Sequence, residues 1–115
     1  MKLGKINRLD IVTNEFTSIL KRYEGMPTHL YIRGKLPEKR IPAVAIVGSR
    51  KPTRYGEEVT YKLAYDLAKQ GVVIISGLAY GVDAIAHRAA LDAGGVTIAV
   101  MAQGLHKVYP AMHKD

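Results

Sequence analysis

Four kinds of side chain in this sequence could do chemistry, and their spacing decides which chemistry each permits. His87 follows Asp83 by four residues, which puts both on one face of a helix. With Ser49 or Ser76 added, the set contains the residue types of a Ser-His-Asp nucleophile. Neither serine lies in a GxSxG turn, however, and no oxyanion arrangement can be read from the chain, so a structural histidine bonding the neighbouring loop is the favoured reading. His29, His106 and His113 have no metal-like spacing with His87 or with each other. With no cysteine, thiolate catalysis, disulfides and cysteine-based zinc sites are excluded. No catalytic residue and no metal site is assigned.

Anion binding is the chemistry with the clearest pattern. Gly48-Ser49-Arg50-Lys51-Pro52-Thr53-Arg54-Tyr55-Gly56 joins an apolar run to a helical pattern, and at such a junction unpaired helix amides face a ligand. Gly48 would let the backbone approach an anion, Ser49 would donate a hydroxyl, and Arg50 would clamp phosphate oxygens, with Lys51 and Arg54 in support. One strand over, Ser76-Gly77-Leu78-Ala79-Tyr80-Gly81-Val82-Asp83 repeats the arrangement. Gly77 and Gly81 would allow a tight turn with exposed amides, and Ser76 offers a second hydroxyl. Asp83 either caps the next helix or orients Arg50. Tyr80 either stacks on a base or is a loop tyrosine without a partner. Neither loop is GxGxxG, no carboxylate ends the second apolar run, and GxxxxGK[ST] is absent, so dinucleotide and P-loop cofactors are not expected.

The elements that must position these loops follow from periodicity. Ala43–Val47, Val72–Ser76 and Val96–Met101 are apolar runs of buried-strand type. Between them lie helices predicted over Glu57–Gln70, closed by Gly71, and over Asp83 to about Ala93, closed by Gly94 and Gly95. On the first helix Val59, Leu63 and Leu67 share a face, with Ala64 and Ala68 beside them. Alternating strands and helices with short connections predict right-handed parallel βαβ units, a Rossmann-like three-layer α/β/α arrangement with a βαβαβ core. Ligands then bind beyond the carboxyl ends of the strands, where both loops lie. Gly104, Tyr109 and Pro110 would shape the loop after the third strand at the same edge. Residues 1–42 read as a lead-in segment packing on this core of residues 43–115. It holds a short helix near Asn14–Tyr23 with Asn14 as its cap, and a strand-like LYIRG entering a turn.

The formal charge is +7 over 115 residues, which suits a polyanionic partner. Nine Lys/Arg against four Asp/Glu fall in residues 1–42, and eight against six in residues 43–115. The core is thus nearly balanced, and its Arg50, Lys51 and Arg54 concentrate positive charge on one loop. No apolar run is long enough to cross a bilayer and no signal-peptide block opens the chain, so a cytoplasmic protein with no membrane contact is expected.

VAIVGSRKPTRYG, SGLAYGVDAIAH and GGVTIAVMAQGLHKVYP, in that order and preceded by PTHLYIRG, resemble the DNA processing protein A (DprA/Smf) family. The resemblance implies an extended Rossmann-like fold that binds single-stranded DNA without sequence preference, in DNA uptake and natural transformation, and loads a RecA-type recombinase. It implies no cofactor and no enzymatic activity, and it allows a homodimer. It places Gly48, Ser49, Arg50, Lys51, Ser76, Gly77 and Gly81 at the phosphate pocket, with Arg54, Tyr80, Asp83 and His87 in support. Two departures stand out. The family's Rossmann-like domain is longer, so a fragment is expected, with an exposed third-strand edge open to self-association. Tyr80 also stands where a basic residue is common. The rival reading is a Rossmann-like nucleotide enzyme or sensor related to the nucleoside-monophosphate phosphoribohydrolases, but their PGGxGT segment is absent.

Overall fold

A computed structural model of the chain describes residues 5–101. The chain forms two compact units that divide between Ile41 and Pro42, and each is described by itself.

In the first unit, β1 (Ile6–Asp10) pairs antiparallel with β2 (His29–Arg33), from Ile6 opposite Arg33 to Asp10 opposite His29. β1 carried no strand signal in the sequence. INRLD is polar and its residues are mostly exposed, so pairing with β2 rather than an apolar face makes it a strand. The helix predicted near Asn14–Tyr23 is instead a run of turns ending in a single 3-10 helix, Ser18–Arg22. Side chains that bond the local backbone explain this. Asn14 Oδ1 accepts from Thr17 N–H at 2.8 Å, Thr17 Oγ1 donates to Ile11 O at 2.9 Å, and Ser18 Oγ donates to Glu15 O at 3.1 Å. These bonds compete with the helical ladder. Asn14 does open the segment, its carbonyl accepting from Ser18 N–H at 2.9 Å.

The second unit is the expected parallel α/β core. Its sheet has the order β3 (Ala43–Ala45), β4 (Val73–Gly77), β5 (Thr97–Val100), all parallel. Helix α1 (Arg54–Lys69) connects the first two strands and α2 (Val82–Asp92) the last two. Because both crossovers step in one direction across the sheet, right-handed connections put both helices on the same face. They pack on each other there, through Ala64 and Ala68 of α1 and Ala86, Ala89 and Ala90 of α2, over Ile74. Of the three layers expected, these elements build the sheet and one helical layer.

Two details of the sequence reading are corrected here. β3 is shorter than Ala43–Val47 and is not buried. It lies at a sheet edge, where Val44 and Val47 are exposed. On α1 the inward face is Thr60, Ala64 and Ala68, while Val59 and Leu63 face solvent and Leu67 packs partly buried at its side. Small residues win the inward positions because the helices approach closely. A methyl group on Gly95, which follows α2, would come within 2.8 Å of Ala68 Cβ. Tyr61 adds a surface tie between the helices, its hydroxyl donating to Asp92 Oδ2 at 2.5 Å. That hydrogen bond is the main cause holding the Tyr61 phenol above its ordinary ionisation range.

Ala89→Leu drives a large side chain into this alanine interface, and overpacking of that kind costs about 1 to 3 kcal/mol. The urea midpoint of that variant is expected to fall with little change in slope. Leu63→Ala, on the exposed face, is expected to shift stability by no more than about 0.5 kcal/mol.

Candidate phosphate-binding loops

The site is built where β3 and β4 run into the helices that follow them. Thr53 opens α1. Its backbone is extended, and its Oγ1 accepts from Gly56 N–H at 3.0 Å while its carbonyl accepts from Glu57 N–H at 2.9 Å. The helix therefore begins at Arg54, three residues before the predicted Glu57. A threonine preceding the periodic stretch was the signal that could have shown this. Arg54 is thereby placed in the first turn, where it lies 3.8 Å from Glu58 in a solvent-exposed pair of little energetic weight. Ser49 Oγ accepts from Lys51 N–H at 3.0 Å, which curls the loop before Pro52.

The second loop is pressed directly against the first. Val82 N–H donates to Ser49 O at 3.0 Å. Gly81, the N-cap of α2, has φ +83°, and a Cβ there would lie 2.6 Å from the Arg50 backbone. Gly48 faces the Val82 side chain, with a notional Cβ at 3.0 Å from Val82 Cγ2. The glycines thus have a steric purpose. Gly48 and Gly81 let one loop seat on the other, and the positive φ of Gly81 makes the tight turn expected of it.

Beneath this seam lies Asp83, only 7% exposed. Its Oδ2 accepts from Gly77 N–H at 3.1 Å and its Oδ1 from Gly48 N–H at 3.4 Å. Asp83 is therefore neither the N-cap of α2 nor a partner of Arg50. It occupies the first turn, where the helix dipole favours a carboxylate, and it joins the ends of β3 and β4. The consequence for the expected pocket is a correction: the Gly48 and Gly77 amides point inward to Asp83 and are not presented to a ligand.

Ser76 is corrected for a similar reason. It is 2% exposed, and its hydroxyl donates to Ile46 O at 2.5 Å, so its proton is engaged between the strands rather than offered to a phosphate. His87 is also buried. Its Nε2 lies 2.8 Å from Gly77 O, which can only accept, so that nitrogen carries the proton. Its Nδ1 lies 2.6 Å from Thr97 Oγ1, itself 2.9 Å from Ile74 O. His87 thus links α2 to β4 and β5, and Thr97 is the member of this network that sequence reading missed.

What remains outward is compact and cationic. Ser49, Arg50, Lys51, Arg54 and Tyr80 are exposed. The Arg50 and Lys51 side chains have no hydrogen-bond or ion-pair partner among the described residues. Of the residues expected at the site, Ser49, Arg50 and Lys51 stay on its surface, while Ser76, Gly77, Asp83 and His87 form its support. Gly104, His106, Tyr109, Pro110 and His113 lie outside the described residues. No group of three or more His, Asp or Glu able to hold a metal occurs among the described residues. None of their helices is long and apolar enough to cross a membrane.

Asp83→Ala leaves two amides at the strand ends without their acceptor, at a cost of about 1 to 3 kcal/mol. Chemical denaturation of that variant is expected to show the loss, with Asp83→Asn, which keeps one acceptor oxygen, in between. Gly81→Ala combines a positive φ with a backbone collision, and is expected to destabilise more than Gly71→Ala, where a Cβ meets nothing within 4 Å.

Comparison with known proteins places this geometry. The profile of the family described as DNA recombination-mediator protein A matches residues 7–115. The chain is 36% identical over 106 residues to DNA processing protein DprA of Bacillus subtilis, covering 91% of this chain and 36% of that protein. It is 42% identical over 87 residues to protein Smf of Escherichia coli, covering 76% of this chain and 23% of that protein. It therefore spans well under half of these curated relatives. Among solved structures it is similar to DNA processing protein A of Helicobacter pylori, described for its unique single-stranded DNA binding mode. The TM-score is 0.70 at 31% identity, over 95% of this chain and 48% of that one. DNA processing protein A of Streptococcus pneumoniae gives a TM-score of 0.58 at 46% identity, over 64% of this chain and 26% of that one. With the parallel core, the paired βα loops and the profile match over residues 7–115 in agreement, the chain belongs to the DNA recombination-mediator protein A family, that of the DprA and Smf proteins.

Proposed function

We propose that this chain binds the phosphate backbone of single-stranded DNA, without sequence preference and without chemical change to the strand, and that it serves DNA uptake and recombination by passing the strand to a RecA-type recombinase. The observation that carries the reading is the outward cation pair Arg50 and Lys51, whose side chains have no partner among the described residues, held on a loop that a second βα loop fixes from behind. Phosphates need donors whose charge is not already neutralised, and Arg50 offers a planar fork of them. The H. pylori relative, similar over nearly all of this chain, supports DNA as the polyanion.

The polar groups behind the loop support binding rather than catalysis. Ser76 and His87, the residues that a hydrolytic reading would recruit, are buried in hydrogen bonds between strands and helix. In this reading Ser49, with its hydroxyl proton still available, contributes the neutral contact beside Arg50.

Fluorescence anisotropy of a labelled oligonucleotide, titrated at several salt concentrations, tests the proposal. Arg50→Ala is expected to weaken binding by about 1 to 3 kcal/mol, the range of a charged hydrogen bond, and to lower the salt slope by about one contact. Mononucleotide competing as well as the oligonucleotide would point instead to a nucleotide-binding pocket. An unchanged slope would remove Arg50 from the interface.

A further inference from the structure

Tyr55 is the most conspicuous residue that the site as described leaves unused. It lies in the first turn of α1, next to Arg54 and four residues after Lys51, and it is 76% exposed. Its ring makes no aromatic, cation–π or hydrogen-bond contact with any described residue. Tyr23, in the first unit, is exposed in the same way, but three other tyrosines make side-chain contacts. Tyr61 bonds Asp92 and stacks on Tyr65, Tyr65 lies beneath Lys69, and Tyr31 meets His29 edge-on. Tyr55 differs from Tyr23 in lying directly beside the cationic loop, where no contact among the described residues accounts for its ring.

Its placement suggests a use. Helical side chains lean toward the N-terminus of their helix, and the turn that precedes Tyr55 is the end of the cationic loop. Pro52 and the Thr53 cap hold that turn in one conformation. An aromatic face beside phosphate-binding cations is the arrangement by which proteins hold single strands: cations follow the backbone while rings stack on bases of any sequence.

We propose that Tyr55 is a base-stacking platform for the nucleotide whose phosphate Arg50 and Lys51 hold. This rests on the single-strand reading above and adds to it a contact with the base. Tyr80 is a different case, since it is 43% exposed and already engaged in an interaction within the chain. The row Tyr55, Val59 and Leu63 is exposed along α1, so the competing role for Tyr55 is as the end of a protein-docking stripe. A docking role would make Leu63 matter as much as Tyr55 and would not depend on bases.

The test compares wild type, Tyr55→Ala, Tyr55→Phe, Leu63→Ser and Arg50→Ala on labelled oligothymidylate and on an abasic strand of equal length. Tyr55→Ala is expected to weaken oligothymidylate binding about 5- to 100-fold with no change in salt slope, while Tyr55→Phe retains affinity. On the abasic strand Tyr55→Ala and wild type are expected to bind alike. The chain has no tryptophan, so stacking is also expected to quench tyrosine emission in wild type and less in Tyr55→Phe. Equal loss on both strands, equal loss in Leu63→Ser, or no loss in Tyr55→Ala overturns the assignment. Binding that needs Arg50 but ignores Tyr55 removes Tyr55 alone, whereas absence of binding by the wild type removes the single-strand reading and this assignment with it. Unaltered thermal unfolding of Tyr55→Ala, expected from the ring's exposure, ties any loss to the interface.

Discussion

The arrangement of the second unit depends on one carboxylate. Asp83 accepts from the backbone amides at the ends of two neighbouring strands, Gly48 after β3 and Gly77 within β4, and does so from the first turn of the helix that follows β4. Two loops leaving adjacent strands would otherwise diverge with their amides solvated separately. With both amides on one side chain, the loops are held at a common height, and Gly81 can seat against the Ser49–Arg50 backbone. The carboxylate is mostly buried, and its charge is offset by two N–H donors and the α2 dipole. The negative charge is thereby kept beneath the loops and the cations above them.

This separation of charge is what would suit the surface to the anion proposed for it. Carboxylates beside Arg50 and Lys51 would neutralise them before a ligand arrived. Two acidic groups near the site are engaged elsewhere: Asp83 with backbone amides, and Glu58 with Arg54 on the exposed side of α1. The polar groups inside follow the same principle. Ser76 bonds the Ile46 carbonyl and His87 bridges Gly77 and Thr97, so each buried polar atom stabilises the junction of strands and helices that holds the loops.

Packing beneath the loops sets their positions as firmly as the hydrogen bonds do. Five alanines line the contact of α1 with α2 over Ile74. Short side chains let the two helices approach closely, and this fixes where their first turns emerge at the sheet edge. Of the larger apolar residues of α1, Val59 and Leu63 are left on the outside, while Leu67 packs partly buried against the cluster. A hydrophobic pattern identifies a helix, but which of two adjacent rows faces inward depends on how closely its neighbour packs.

The amino-acid sequence by itself determined the class of the fold, the order of the βαβαβ elements, the position of both loops and the identity of the outward cations. These follow from local properties: runs of apolar β-branched residues, helical periodicity ended by glycine, and Arg50 and Lys51 at a strand-to-helix junction. It also pointed to Asp83 and His87, but not to their roles. Only the tertiary structure decided that Asp83 binds two loops rather than Arg50, that Ser76 faces a neighbouring strand, that Gly48 and Gly81 make room for another loop, and that INRLD is a strand at all. Each of those outcomes depends on a partner at least six and as many as 35 residues away, and a hydrogen bond or a steric fit between such residues has no local signature. Propensity acts within a turn or a strand, whereas the polar partners and close approaches that assemble this surface exist only once βα units lie side by side.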